Sequence, residues 1–350
     1  MNILMVGVDR NRLGGMWTVA DNYIERFKDS DEVDLHYVAT TTNGSVFKRL
    51  FIMFEGFYKI SHILRCNNID IVHIHMAEKG STFRKLKVVK LCKKYKCKVI
   101  IHLHAGPYMK WFNSLSSAKK NKIMEFFKVV DMFFVLGEYW KEELSSIVDI
   151  DKIKVVYNGT KIPAINHYNN EGNYISYFGV FKKEKGIYDL IDGIKNINNV
   201  LDKEIKVVLC GLDLEGDIDK YIRDRKLQNR IINKGWVSGQ DKLNVLNKTI
   251  VSVLPSYYEG LSMSVIESMA YGIPVITTNI STMPEILGDE KELIEPGNSE
   301  ILANKIFQYC QDKKLRSDLS EKEYSRALSV FSLESNISVT LSFYRELSKV

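Results

Sequence analysis

The 350 residues predict an α/β protein made of two doubly wound domains. Three observations point there. Short apolar runs alternate with helical patterns along the whole chain, which implies parallel strands joined by right-handed crossovers. The alternation pauses in the polar, turn-rich stretch Lys161–Asn173 and then restarts, which marks a linker. The length itself suits about two domains. Two such domains are expected to face one another across a cleft, with ligands at the carboxyl ends of the strands.

In the first half, apolar runs predict strands near 2–8, 33–39, 69–75, 97–103, 130–136 and 153–157. Helical spacing fills the gaps near 15–28, 47–66, 80–96, 115–128 and 138–147. The second half restarts with a strand at 174–178, and further strands follow near 205–210, 231–234, 251–254, 274–277 and 292–294. The last segment, Leu333 to Leu347, has helical spacing. The expected division is 1–165, 166–330 and a terminal helix in 331–350.

Composition agrees with a large globular protein: 45% hydrophobic and 26% charged residues, with no low-complexity run. The five cysteines are odd in number and show no C-x2-C pairing, so free thiols in a reducing compartment are expected. The chain opens directly into a strand without a basic leader, and no apolar run approaches the roughly 20 residues that cross a bilayer. A cytoplasmic protein, or one resting on the inner face of the cytoplasmic membrane, is expected.

Charge is unevenly placed. Residues 47–128 hold 18 basic and 4 acidic side chains, with aromatics interleaved as in Phe47-Lys48-Arg49-Leu50-Phe51-Ile52-Met53-Phe54. Basic amphipathic helices of this kind can lie on an anionic membrane surface. A solvated outer layer of helices is the alternative. No nucleic-acid-binding module is visible, so no nucleic-acid partner is expected.

The most informative stretch runs from Pro255 to Ile276. It reads as strand, glycine-bearing loop, short helix and second strand. The helix start offers the amides of Leu261, Ser262 and Met263, where a diphosphate can bind. Glu259 and Glu267 lie on either side. Ionised carboxylates only accept hydrogen bonds, so they suit sugar or ribose hydroxyls rather than phosphate. Together these groups describe a nucleotide-sugar pocket.

The Glu259-Gly260…Glu267-Ser268-Met269-Ala270…Gly272-Ile273-Pro274-Val275-Ile276 run resembles the E-x7-E signature of the retaining glycosyltransferases of family 4, which resemble one another also in GT-B fold: two Rossmann-like domains. The resemblance implies that Glu259 contacts the donor sugar and Glu267 holds the ribose diol. Gly14-Gly15, opening a helix after the first strand, resembles the glycine loop near the donor phosphates. Its spacing lacks the full G-x-G-x-x-G of dinucleotide binding.

Lys185-Gly186 resembles the end of the family's G-R-x-x-x-x-K-G loop, so Lys185 is implied to neutralise the diphosphate. The family arginine falls on Val180, and Lys182 or Lys183 is the candidate replacement. Backbone near Trp236 and Val237 is implied to lie beside the base. Val155 to Thr160 resembles the family's turn before the linker. The terminal helix is implied to pack back on the first domain.

Two H-x-H pairs end strands: His73 with His75, and His102 with His104. Such pairs can ligate metal, but no acidic residue accompanies them, and the resemblance implies no metal and no cofactor. It singles out His104 as the residue that reaches the donor sugar. The other three are expected to be structural or acceptor-side.

The reading is therefore a retaining, metal-independent transfer from a nucleotide-diphospho sugar, a UDP-sugar in the first instance, to a hydroxyl of a glycan or lipid-linked glycan acceptor in polysaccharide synthesis. The alternatives are a GT-B sugar-nucleotide epimerase, a non-catalytic GT-B partner subunit and a phosphorylase.

Overall fold

The computed structural model of the chain describes residues 1–11, 15–104, 106, 108–289 and 293–349. It divides into two compact units, Met1–Gly159 with Leu333–Val350, and Thr160–Ser332.

In the first unit, strands Asn2–Gly7 (β1), Asp34–Ala39 (β2), Ile71–Met76 (β3), Lys98–Leu103 (β4), Met132–Val135 (β5) and Ile153–Val155 (β6) form a parallel sheet in the order β2-β1-β3-β4-β5-β6. Helices Gly15–Phe27 (α1), Val46–Cys66 (α2), Gly80–Lys94 (α3), Tyr108–Asn113 (α4), Ser117–Lys128 (α5) and Glu138–Ser145 (α6) connect them. The central strands are buried on both faces: every residue of β3 and β5 is buried. This is why they read as unbroken apolar runs. The short helix α4 was not anticipated; at six residues it is too brief to show a period.

The C-terminal helix, Leu333–Ser348, belongs to this unit. Tyr344 and Ile337 are buried with Ile3, Tyr23, Ile71 and Phe134 in one core cluster. Thr340 and Tyr23 share a hydroxyl hydrogen bond of 2.8 Å.

The second unit comprises Tyr174–Phe178 (β7), Ile187–Ile197 (α7), Lys206–Cys210 (β8), Ile218–Asp224 (α8), Ile231–Gly235 (β9), Gly239–Leu246 (α9), Thr249–Leu254 (β10), Met263–Ala270 (α10), Val275–Thr277 (β11), Met283–Leu287 (α11), Ser299–Gln311 (α12) and Lys313–Val330 (α13). Its sheet is parallel, in the order β11-β10-β7-β8-β9. A strand near 292–294 was expected; Ile294 makes only an isolated bridge to Thr278, and Lys291 and Glu292 lie outside the described residues.

The stretch expected as a linker, 161–173, is part of the second unit. Its asparagines are tied down. Asn166 donates to Ser320 at 2.9 Å, Asn170 donates to the Lys313 carbonyl at 2.9 Å, and Arg316 donates to Asn170 at 2.9 Å. Polar composition here reflects side chains that bond a helix, not a free tether.

Each sheet has one point where strand order reverses, β1/β3 in the first unit and β7/β10 in the second. Chain leaves these neighbouring strands in opposite directions, which opens a crevice at their carboxyl ends. Gly15, at the start of α1, and the histidine pair of β3 flank the first. The lysine loop after β7 and the glutamate loop after β10 flank the second.

Candidate functional site

The loops after β7 and β10 are locked together. Gly186 has a φ of +66°, and a Cβ there would stand 1.9 Å from the Pro255 carbonyl oxygen. Only glycine permits that approach. The Tyr257 amide donates to the Glu184 carbonyl at 3.0 Å. The result places the Lys185 ammonium 2.6 Å from Glu259 Oε1. Ser256 Oγ donates to the same oxygen at 2.8 Å. Glu259 is only 7% exposed, and this pairing offsets the cost of burying its charge.

The glutamate loop is pinned from the far side as well. Ser281 Oγ donates to the Glu259 carbonyl at 2.8 Å, and Thr282 Oγ1 donates to the Gly260 carbonyl at 2.9 Å. Leu261 and Ser262 lead into α10, which Met263 opens. The first amides of any helix lack intrahelical acceptors and carry a partial positive charge. Glu267 sits one turn further along α10 and is paired with Lys242 of α9. Trp236 and Val237 follow the carboxyl end of β9; Trp236 is 55% exposed, while Val237 packs against the core cluster that includes Phe178, Val208 and Ile273.

The structure thus gathers Lys185, Glu259, Leu261, Ser262 and Met263 at one switch point, with Glu267 on the same helix. Lys183 is exposed in the short 3-10 turn Lys183–Lys185, and its amide donates to Glu215 at 3.4 Å. Val180 brings no charge to this loop; its carbonyl accepts the Tyr177 hydroxyl at 3.0 Å.

In the first unit, Gly14 lies outside the described residues, and Gly15 is the first residue of α1. The four histidines form a column. The β3–β4 register sets His75 opposite His102. Ring centroids are 4.7 Å apart for His73 and His75, 4.9 Å for His75 and His104, and 4.1 Å for His102 and His104. His104 is at the open end, half-buried, just past the last residue of β4. Burial pulls the imidazoles of His73 and His104 down to about 3, and those of His75 and His102 well below the usual range. All four are therefore neutral.

His73, His75 and His102 bring ring nitrogens within 4.8 Å of one another. Their planes are within 17–27° of parallel. Two of these nitrogens, His73 Nε2 and His102 Nδ1, are hydrogen-bonded to each other at 3.2 Å and so are already engaged.

Three comparisons bear on this arrangement. The family described as Glycosyltransferase Family 4 matches residues 14–162, and that described as Glycosyl transferases group 1 matches residues 159–326. The chain belongs to glycosyltransferase family 4. This family 4 glycosyltransferase is 28% identical to an uncharacterized glycosyltransferase of Methanocaldococcus jannaschii, over 99% of each chain. It is 30% identical to the capsular polysaccharide biosynthesis glycosyltransferase CapM of Staphylococcus aureus, over 47% of this chain and 43% of that one. Among solved structures it is similar to Anabaena HepE in complex with UDP, with TM-score 0.75 and 16% identity over 98% of this chain and 100% of that chain. The fold is GT-B.

Sequence reasoning missed two polar residues in this glycosyltransferase. Ser256 and Lys242 have no motif that ties them to Glu259 and Glu267. His75 was visible as half of an H-x-H pair, but nothing in the pattern showed which ring it touches.

Proposed function

We propose that this glycosyltransferase moves a sugar from a nucleotide-diphospho donor, preferentially a UDP-sugar, to a hydroxyl of a glycan or lipid-linked acceptor in polysaccharide synthesis, with retention and without a metal. The observation that carries the reading is the Lys185–Glu259 pair beside the start of α10. A cation and helix amides suit the diphosphate, and a buried carboxylate suits the sugar hydroxyls. UDP in HepE and the role of CapM in capsular polysaccharide biosynthesis support the donor and the context.

Each residue then has a physical task. Negative charge builds on the diphosphate as the glycosidic bond breaks. Lys185, the 261–263 amides and the Gly14-Gly15 loop stabilise it, and Lys183 adds long-range attraction. Glu267 accepts from the ribose diol, and the backbone at Trp236 and Val237 flanks the base. Glu259 and His104 orient the sugar. His104 is neutral, so it acts as a hydrogen-bonding group rather than a cation. The departing phosphate takes the acceptor proton on the face it leaves.

The basic stretch 47–128 is the proposed contact with an anionic membrane. Phe47, Phe51, Phe54 and Tyr58 are 85%, 67%, 66% and 73% exposed. Their spacing of four, three and four residues sets them in one stripe along α2. No helix among the described residues is long and apolar enough to cross a membrane.

The test is a nucleotide-release assay on a panel of nucleotide sugars, with acceptor-containing membranes and EDTA. Acceptor-dependent release that survives EDTA, with retained anomeric configuration, is expected. Loss of turnover in EDTA with recovery on Mn²⁺ contradicts the metal-free mechanism. An altered sugar formed without acceptor makes the enzyme an epimerase.

A further inference from the structure

The histidine column contains a part-buried hydrogen bond whose direction depends on the tautomers of its two rings. His75 Nδ1 and His104 Nε2 are 2.7 Å apart. His75 is fully buried, and its Nε2 has no hydrogen-bond partner among the described residues. Both rings are neutral, so each carries one proton. One proton must lie in the bond, because two bare lone pairs at this distance repel.

Only two arrangements satisfy this. If His104 donates, His75 accepts at Nδ1 and carries its own proton on Nε2, a buried N–H with nothing to receive it. If His75 donates, its Nε2 is bare and His104 carries its proton on Nδ1. Orphaned buried N–H groups are rarer than under-satisfied acceptors. The second arrangement is the one the structure favours.

The neighbouring chain has the same polarity. His102 Nε2 is also buried without a partner among the described residues, and His102 Nδ1 is 3.2 Å from His73 Nε2. His102 therefore donates to His73, whose Nδ1 then donates to the Tyr344 hydroxyl at 2.5 Å.

We propose that His75 is a positioning residue: it holds His104 in the Nδ1–H form, so that His104 offers a hydrogen-bond donor, never a bare nitrogen, to an oxygen of the donor sugar. This rests on the reading that His104 meets the sugar. The His104 backbone amide, bonded to the Met76 carbonyl at 2.9 Å, fixes the residue's place while His75 fixes its ring. Which nitrogen of a histidine is protonated is set by the bond the other one makes.

The experiment combines spectroscopy and kinetics on the full chain. Two-bond ¹H–¹⁵N correlation of ¹⁵N-histidine protein reads the tautomer directly, with His104 assigned by its loss in His104→Ala. Wild-type protein should show His104 protonated at Nδ1. His75→Phe keeps a flat ring but has no donor; it should lose the single tautomer and lower kcat about ten- to hundred-fold with little change in donor KM. His75→Asn places an amide N–H where Nδ1 was and should restore both signals.

A proton on His104 Nε2 in the wild type overturns the proposal, and this readout stands even where a variant fails to fold. Wild-type kcat in His75→Phe, with His104→Ala slow, also overturns it. Wild-type kcat in His104→Ala overturns instead the underlying assignment of His104 to the sugar.

Discussion

Mild acid should loosen the first unit well before its carboxylates titrate. The perturbation is a shift from pH 7.5 to 5.5. His73 and His104 have folded values of about 3 against an ordinary 6.5, and His75 and His102 are also well below it, each chiefly through burial. A depressed folded value means that the unfolded chain binds the proton more readily. Stability from these rings is therefore complete above the unfolded value and is lost as pH falls from 6.5 towards 3. Each ring that stays neutral costs about 1.4 kcal/mol per pH unit below 6.5. Only the unit below 6.5 counts in this shift, so that is about 1.4 kcal/mol per ring, or roughly 5.6 kcal/mol for the four. A domain has only about 5–15 kcal/mol in total. Urea unfolding followed by tryptophan fluorescence reads this well, because Trp17, Trp111 and Trp140 all lie in the first unit. The urea midpoint should fall steeply between pH 7 and 5.5. A flat midpoint across that range would mean that the column takes up protons while folded, and the reasoning from burial would fail.

Other outcomes follow from the same geometry. Glu259→Gln should reduce kcat by far more than it reduces nucleotide affinity, because Glu259 is assigned to the sugar; equal losses in kinetics and calorimetry would move it elsewhere. Gly186→Ala should destabilise by more than about 1 kcal/mol, since its φ of +66° and the nearby Pro255 carbonyl both oppose a Cβ. A wild-type melting curve in that variant would show that the two loops are not locked. The protein should co-sediment with anionic vesicles at low salt and be released at about 1 M salt, where the Debye length falls to ~3 Å. Replacing Lys48, Arg49, Lys119 and Lys120 with Ser should release it while turnover of a soluble acceptor is unchanged. Failure of the wild type to bind at low salt would return this stretch to a solvated face.

Much of this was legible before any coordinates. Strands such as β3 and β10 are buried throughout, so their apolar runs stood out against the helices. The predicted strand at 292–294 had the composition but, among the described residues, only one bridge, because pairing depends on a neighbour and not on a local run. The polar stretch at 161–173 was read as a tether because composition does not show that a partner helix will bind its asparagines.

The site was legible as separate motifs. Glu259 and Lys185 could each be named, but they are 74 residues apart and meet only because β7 and β10 are neighbours. Lys242 was invisible because a lysine 25 residues before its partner, on another helix, has no spacing signature. The histidine pairs announced themselves, while their stacking needed the β3–β4 register.

The most direct test of the central claim, that the second unit holds a nucleotide through Glu267 without a metal, is calorimetric titration of free UDP in EDTA into the wild type and Glu267→Ala. Losing a charged acceptor to the ribose diol costs about 1.5–3 kcal/mol. The account predicts wild-type binding in EDTA and an affinity lower by roughly ten- to hundredfold in the variant. Equal affinities for the two proteins would contradict it.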